Sequence, residues 1–573
     1  MPLETKDLYA RSLLNGKRWN PEANKEYVMP KAEFDATFGQ GDPEAIKPIV
    51  AYFVGRHYMI DQPRITKLQR YYLGDNDIHY WVNNKKSLNH ADNRIASGFP
   101  KFITNMRVGY MLGEPIQFKL NNEDDQLAAD KATELLDTFN QQNDEEYHEK
   151  AMKINLSTTG RAYELLYAGE SVQQDGHWLT PDVKLRAVDP ATAFVVYDTS
   201  IDRHSLFGVR YYTIDYNGSL YSYVDVYTAD VTYHYEVKDG PNSNGGDYTL
   251  TSQETTSFGA VPLTEYINNE NKTGDWEAKL DQIDAYDLAM SEMANSEEDF
   301  ANAKLMIKGD IDFSDSMVTL TDASGEPLMD DQGEPIKVPK IDAKDPYIML
   351  KPSIIPNDAG GTTVIDSDAS YLTKQLNETG WQAYINQLIS DIHKDTNTPD
   401  TTDNAFSGQS SGVALMYKLF GEDQERTMQQ SLYTRGLMRR LRLLGNYWRT
   451  NREIGDAGLM DDFKPVYTPN LPRNNADLVN MLVQLSNSGL FSDRTLREFG
   501  EKVTGVDANT EEKRMDDEKP QDYEFNGAPL QGANPADVEA ARQQLADQGI
   551  TEPHQPNDPG ELLRQMRHGS GAD

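Results

Sequence analysis

The chain has 573 residues, with 92 acidic side chains against 55 basic ones and a formal charge of −37. That length allows several domains, and that charge argues against a protein that wraps nucleic acid by neutralising its phosphates. The absence of cysteine excludes disulfides, thiolate zinc sites and a cysteine nucleophile, and no window nears the run of about 18 apolar residues needed to span a bilayer.

Met1–Gly16 holds no apolar signal core, so a soluble intracellular protein is the expectation. Residues 1–42 are polar and weakly patterned, which predicts a peripheral segment. Pro43–Gly74 reads as two helices. Pro43 suits a first helical turn, Ile46, Ile49, Val50, Phe53 and Tyr58 supply an apolar face, and Gly74 suits a C-terminal cap. Pro100 opens a helix that ends at Gly113, and Glu114-Pro115-Ile116-Gln117-Phe118 begins a strand. Helices are predicted over Ala128–Asn140 and Glu145–Thr158, followed by a strand over Gly160–Tyr167. From Val183 to Tyr266 β-branched and aromatic residues alternate, which predicts a sheet, with Asn217-Gly218 as a tight hairpin and Asn242–Gly246 as a loop tip.

Asp275–Ile307 is predicted as a helix. Glu277, Asp281, Asp284 and Asp287 follow at spacings of four, three and three, so they share one face. A solvated face is the plain expectation, and the wall of an acidic channel is the sharper one. Ile311–Ile365 reads as a β-rich insert, in which Asp322-Ala323-Ser324-Gly325-Glu326-Pro327 recurs as Asp330-Asp331-Gln332-Gly333-Glu334-Pro335. Two such glycine turns predict a small meander of hairpins. Tyr371–Thr396 carries Leu376, Trp381, Tyr384, Ile385, Leu388 and Ile392 at helical spacing.

A polar, turn-rich loop follows at Pro399–Gly408, and Ser411 is placed to cap a helix running to about Arg452. Such a helix would span roughly 60 Å, which suits a subunit of a large assembly better than a compact enzyme. Its arginine-rich end (Arg435, Arg439, Arg440, Arg442, Arg449 and Arg452) is read as a complement to the helix dipole. Asn475–Asn487 and Asp493–Val503 are predicted as short helices. Glu511–Asp573 holds few apolar residues and is expected to be largely disordered, with one helix at Pro535–Asp547.

Catalytic signals are weak. Gly408-Gln409-Ser410-Ser411-Gly412 matches the G-x-S-x-G pattern, but no strand pattern precedes it, and the later histidines, His554 and His568, lie in the polar tail. The chain has no G-x-x-x-x-G-K-[ST] phosphate loop and no H-E-x-x-H pair. Glu297-Glu298-Asp299 could bind a cation, but solvated surface is the stronger expectation. No cofactor and no metal is expected.

Thr398-Pro399-Asp400, Phe406, Gly408, Ser411-Gly412 and Ala414-Leu415 resemble the tunnel loop and following helix of tailed-bacteriophage portal proteins, of the group found in long-tailed phages of Gram-positive hosts. Tyr71-Tyr72-Leu73-Gly74 and Gly109-Tyr110-Met111-Leu112-Gly113-Glu114-Pro115-Ile116 match that family in the same order, although Gly98 stands near where the family usually has Asn. The resemblance runs from Tyr71 to Arg452. It implies an α+β, multi-domain portal fold with long helices and a β-rich clip, assembling as a ring. It implies a wing over 43–270 and 411–455, stem helices over 271–310 and 369–397, a clip over 311–368, a tunnel loop over 398–410 and a crown over 456–512.

The channel residues it implies are Pro399, Asp400, Thr401, Thr402, Asp403, Asn404, Ala405, Phe406, Ser407 and Gly408, and the four acids of the stem face would keep the duplex centred by repulsion. The implied assembly is a homo-oligomeric ring of about 12 subunits. It sits at one capsid vertex of the virion and forms in the host cytoplasm. Double-stranded DNA passes through it, driven by a separate terminase large subunit, and is later ejected. Head–tail adaptors, the major capsid protein and scaffolding protein are the further partners, with no membrane and no enzymatic activity. The alternatives are a metal-dependent nuclease or hydrolase built on clustered carboxylates, and another virion ring such as a neck or baseplate protein.

Overall fold

In a computed structural model of the chain, the described residues are 23–518 other than 82–90, 121–125, 170–172, 175–176, 179–180, 242–246, 302–303, 309, 312–316, 323–324, 340–349, 352, 357–360, 367, 373–377, 401–416, 418, 471–474, 505 and 507. They divide into a larger unit that runs to Pro472 and a smaller one that begins at Arg473. The larger unit is built on helices α1 (Pro43–Arg56), α2 (Gln62–Tyr72), α3 (Phe99–Leu112), α4 (Gln126–Gln142), α5 (Glu145–Thr159), α6 (Leu280–Ala301), α7 (Glu378–Asp395) and α8 (Phe420–Thr450). Its strands include β1 (Tyr27–Val28), β2 (Gln117–Leu120), β3 (Arg161–Ala168), β4 (Val183–Val188), β5 (Ala193–Tyr197), β6 (Ser205–Tyr216), β7 (Ser219–Tyr227), β8 (Val231–Val237), β9 (Tyr248–Thr255), β10 (Leu263–Ile267), β11 (Lys304–Lys308), β12 (Asp368–Leu372) and β13 (Phe463–Val466).

The Asp42 side chain caps α1 by accepting from the Glu44 N–H at 2.9 Å. The predicted pair of helices is one continuous rod, because a π turn at His57–Asp61 joins α1 to α2. Pro63 explains the turn: it has no N–H to give, and its ring crowds the carbonyl four residues back. A six-stranded sheet, ordered β1-β5-β6-β7-β8-β9, lies under α1. Ile46, Val50, Phe53 and Val54 of α1 bury against Phe194, Val196, Phe207, Val209, Val224 and Val226 of the sheet. Each such side chain contributes about 1.5–3 kcal/mol. Tyr216 pairs with Ser219 across the predicted hairpin, and Asn217 (φ 55°) and Gly218 (φ 77°) take the two left-handed positions of its turn.

A three-stranded sheet, β10-β3-β4, packs beneath the long helix. Leu441, Leu443, Leu444, Tyr447 and Trp448 of α8 meet Leu166 and Leu185 of that sheet and Phe139 of α4. The chain after α8 stays in this core: Met460 and Phe463 are buried in it, and β13 pairs with β2. Residues 456–472 therefore belong to the larger unit, not with the helices that follow. In the smaller unit α9 (Asn475–Ser488), α10 (Asp493–Thr504) and α11 (Ala508–Glu518) follow in turn. The Ser492 hydroxyl caps α10 by accepting from the Thr495 N–H at 3.2 Å, and Arg497 pairs with Glu512 at 3.0 Å. Helix α11 covers 511–518, which the polar composition assigned to disorder; the predicted helix at 535–547 lies outside the described residues.

Two predicted helices are shorter than expected. Helix α6 ends at Ala301, and Lys304–Lys308 is strand β11, antiparallel to β12 with Lys304 opposite Leu372 and Lys308 opposite Asp368. Helix α7 accordingly starts at Glu378, not near Tyr371. The pairing partner lies some sixty residues away in sequence, so the local helical pattern is overridden by a ladder that it cannot reveal.

Beyond that ribbon the two glycine turns fold alike. Gly325 (φ 85°) and Gly333 (φ 78°) both take left-handed backbone, and Asp322 and Asp330 each give an N–H to the carbonyl four residues on, at 2.8 Å. Each aspartate side chain accepts from that same residue's N–H, at 3.0 Å for Glu326 and 2.9 Å for Glu334. The hairpins meet at a junction closed by three backbone bonds: Leu320 donates to Ile336, Ile336 to Leu328, and Leu328 to Leu320. The predicted meander is thus a three-way junction. Its eight-residue repeat brings three equivalent backbone groups together.

Candidate channel loop and the buried charges around it

Most of the candidate loop lies outside the described residues: Thr401, Thr402, Asp403, Asn404, Ala405, Phe406, Ser407 and Gly408, along with the G-x-S-x-G stretch and Ser411. Pro399 and Asp400 are half-buried at its near end. Its two roots are well defined. On the α7 side the chain turns at Asn397, whose φ is 50°. The Thr396 N–H donates to Ile392 at 3.1 Å, the Thr398 N–H to His393 at 3.0 Å, and the Thr396 hydroxyl to that of Thr398 at 3.1 Å. On the α8 side Leu419 is buried and Glu422 sits in the first helical turn, where a carboxylate complements the helix dipole.

Arg107 of α3 lies between these roots. Its Nη2 donates to the Thr396 carbonyl, its Nη1 pairs with Glu422 at 2.6 Å, and its Nε stands 3.8 Å from Asp275. Lys153 continues the network by donating to Gln429 at 2.6 Å and Asn268 at 3.0 Å, and Gln429 in turn donates to Asp275 at 2.8 Å. Burial pushes Glu422 up to about 7 despite Arg107, and lowers Lys153 to about 8. Burial acts to raise Asp275 as well, but Lys153 and Arg107 together hold it below the usual carboxylate range. Sequence reasoning missed Arg107. The available signal was a charged residue in helical phase with Ile103, Thr104 and Met111, all buried.

The predicted acidic face is not a solvated wall. Asp284 and Asp287 are 4% and 0% exposed, and Glu277 lies in a 3₁₀ turn before α6, where it pairs with Arg64 at 2.5 Å. The Tyr71 hydroxyl donates to Asp284 at 2.7 Å, and Asn76 and the Ser97 N–H donate to Asp287 at 2.6 and 2.8 Å. The contacts continue along the helix. The Ile95 N–H meets the Ser291 hydroxyl at 2.9 Å, and the Asn93 N–H meets Asn295 at 2.5 Å. Steps of four along a helix rise about 6 Å and steps of two along an extended chain about 6.6 Å. Residues 93–97 can therefore lace the face 287–291–295, and Asp287 is the acid that serves that lacing. Of the four acids Asp281 alone is exposed.

Of the arginine-rich stretch at the end of α8, Arg435, Arg442, Arg449 and Arg452 are exposed, whereas Arg439 and Arg440 point inward. Arg439 donates to the Val261 carbonyl at 2.9 Å and the Ser205 hydroxyl at 2.8 Å. Arg440, 1% exposed, pairs with Glu149 at 2.5 Å and with Glu164, and stands 3.7 Å from Glu145. His148, Glu149 and Glu164 are the group of metal-ligating side chains that converges among the described residues. The Arg440 guanidinium already supplies the cation there, so the cluster does not offer the open carboxylate site that the nuclease reading needs. A cleft of about 830 Å³ between the two sheets holds Arg210, Asp225 and His234. These three are paired to one another, with Asp225 accepting from Arg210 at 3.1 Å and bonded to His234 at 2.7 Å.

No helix among the described residues is long and apolar enough to cross a membrane. A family model described as "Phage portal protein, SPP1 Gp6-like" matches residues 54–524. The portal protein of Bacillus phage SPP1 is 23% identical over 455 residues, covering 75% of this chain and 79% of that protein. The portal protein of Clostridium phage phiCD119 is 26% identical over 268 residues, covering 45% of this chain, which thus spans only 56% of that relative. With the family match extending across α6, α7, the loop roots and α8, the chain belongs to the SPP1 Gp6-like family of phage portal proteins.

Proposed function

We propose that copies of this chain close into a ring of about 12 subunits at one capsid vertex. Double-stranded DNA is packaged and later ejected through its hole, and the segment 398–410 reaches furthest toward the DNA. The observation that carries this reading is the paired geometry of the loop roots. Helices α7 and α8 deliver both ends of that segment to one buried arginine beside the stem root. On this reading α6 and α7 are the stem, the glycine-turn junction and its ribbon are the clip, and the smaller unit from Arg473 is the crown. The rest of the larger unit is the wing.

A channel must hold phosphate weakly for DNA to slide. A surface with a net charge of −37 per chain repels the duplex and keeps it centred. Asp281 is the acid of the original four that remains available for that role. The terminase large subunit, head–tail adaptors, major capsid protein and scaffolding protein are the partners this role requires, in the virion and, during assembly, in the host cytoplasm. We assign the chain no reaction of its own.

Replacing 401–408 by a short glycine–serine linker is expected to leave ring formation intact and to lower packaged DNA per head by about tenfold or more, since loops on a rigid scaffold carry function. Native mass and nuclease-protected DNA are the measurements. Normal packaging by the shortened chain would contradict the assignment of the loop.

A further inference from the structure

We propose that Arg107 is the positioning residue of the channel loop, holding both of its roots on one guanidinium against α3 and the stem root. The inference rests on the reading of 398–410 as that loop. Arg107 is 4% exposed, and each part of its fork has a separate task. Nη2 binds the Thr396 carbonyl at the end of α7, Nη1 binds Glu422 in the first turn of α8, and Nε faces Asp275 where the stem begins.

A planar, delocalised cation can give one hydrogen bond through Nη2 while facing two carboxylates through Nη1 and Nε, a spread of charge that a compact ammonium does not match. The neighbouring contacts point the same way. Tyr110, three residues along α3, donates to Asp423 at 3.2 Å. Across the neck, Asn397 donates to Glu425 at 3.1 Å. The Asp275 N–H, in turn, donates to the Ser157 carbonyl at 2.8 Å, which fixes the stem root to α5. A pull on the loop is therefore borne by a buried ion pair and a charge-assisted hydrogen bond, and not by fraying of the first turn of α8.

The test uses assembled rings of the full chain with Arg107→Gln or Arg107→Lys. It follows hydrogen exchange at 396–398 and 419–424, exchange at 437–445 as a control, and DNA packaged per head. Arg107→Gln is expected to speed exchange at both roots by about tenfold or more, to leave the control amides unchanged and to reduce packaging. Arg107→Lys is expected to keep protection at the Glu422 root and lose it at Thr396. Should Arg107→Gln fail to assemble, Arg107→Met with Glu422→Leu removes the charge pair without stranding either charge, and is expected to loosen the Thr396 root.

Acceleration spread evenly over α3 and α8 would overturn the proposal, because Arg107 would then be an ordinary stabilising residue. No acceleration at either root would overturn it too. Loosened roots with normal packaging would support the clamp while removing the DNA role of the loop itself.

Discussion

Arg440→Met is expected to lower the stability of the folded chain by about 3–5 kcal/mol, the cost of stranding buried charges. Three glutamates converge on this arginine from α5 and β3, and all are buried: Glu145, Glu149 and Glu164. The Arg440 Nε donates to Glu164 at 3.0 Å, His148 binds the same carboxylate at 3.0 Å, and the Tyr266 hydroxyl donates to it at 3.1 Å. Tyr433 donates to Glu149. Burial acts to raise Glu164, but Arg440 and the bond from His148 hold it at about 2, so it stays ionised. Burial, with Glu149 alongside, pushes Glu145 up to about 8.

Methionine fills much of the space but supplies no charge, so Glu149 and Glu164 lose their cation inside the core. Adding Glu149→Gln and Glu164→Gln to Arg440→Met should recover a large part of the loss, since neighbours in one network are not additive. Denaturant unfolding followed through Trp448, which is buried in the adjoining core, measures both. A loss below about 1 kcal/mol would place Arg440 among weak surface pairs and contradict its role here.

Gly160→Ala is expected to cost about 3 kcal/mol or more, because left-handed strain and a backbone clash add. Gly160 ends α5 with φ 82°, and its N–H donates to Leu156 at 2.8 Å. An added Cβ would lie 2.2 Å from the Lys272 carbonyl oxygen. The close approach is mutual, since a Cβ on Gly274 would lie 2.4 Å from the Thr158 carbonyl oxygen. Two backbone segments, 157–160 and 272–275, touch here with no side chain between them, and Arg64 bonds to both the Thr159 and Lys272 carbonyls. This junction fixes the segment that leads into α6 against the end of α5. The same substitution at Gly218, also at positive φ but with open space around it, should cost only about 1 kcal/mol. Equal losses at the two sites, read from the same denaturation curves, would contradict the close-approach argument.

Elements fixed by local chemistry were legible in the sequence. Asn217-Gly218 and the two Gly turns of the insert fold as their backbone preferences dictate, and α3, α4, α5, α9 and α10 lie close to their predicted bounds. What was not legible depended on distant partners. Spacing correctly grouped Asp284 and Asp287, but it could not say that Tyr71 takes the first and Ser97 the second. Arg440 was counted with its neighbours as a complement to the helix dipole. Its helical phase with Leu437 and Leu444 was the signal that it points inward, and its glutamate partners lie more than 270 residues away. The helix ends at Ala301 and Glu378 were missed for the same reason, since β11 and β12 define each other.

Whether the chain forms a DNA-conducting ring is tested most directly by asymmetric cryo-electron microscopy of phage heads carrying it with a C-terminal tag. The expected result is a ring of about 12 tagged copies at a single vertex, with a hole that admits a B-form duplex. Tag density at every vertex, or a chain that is absent from the head, would contradict it.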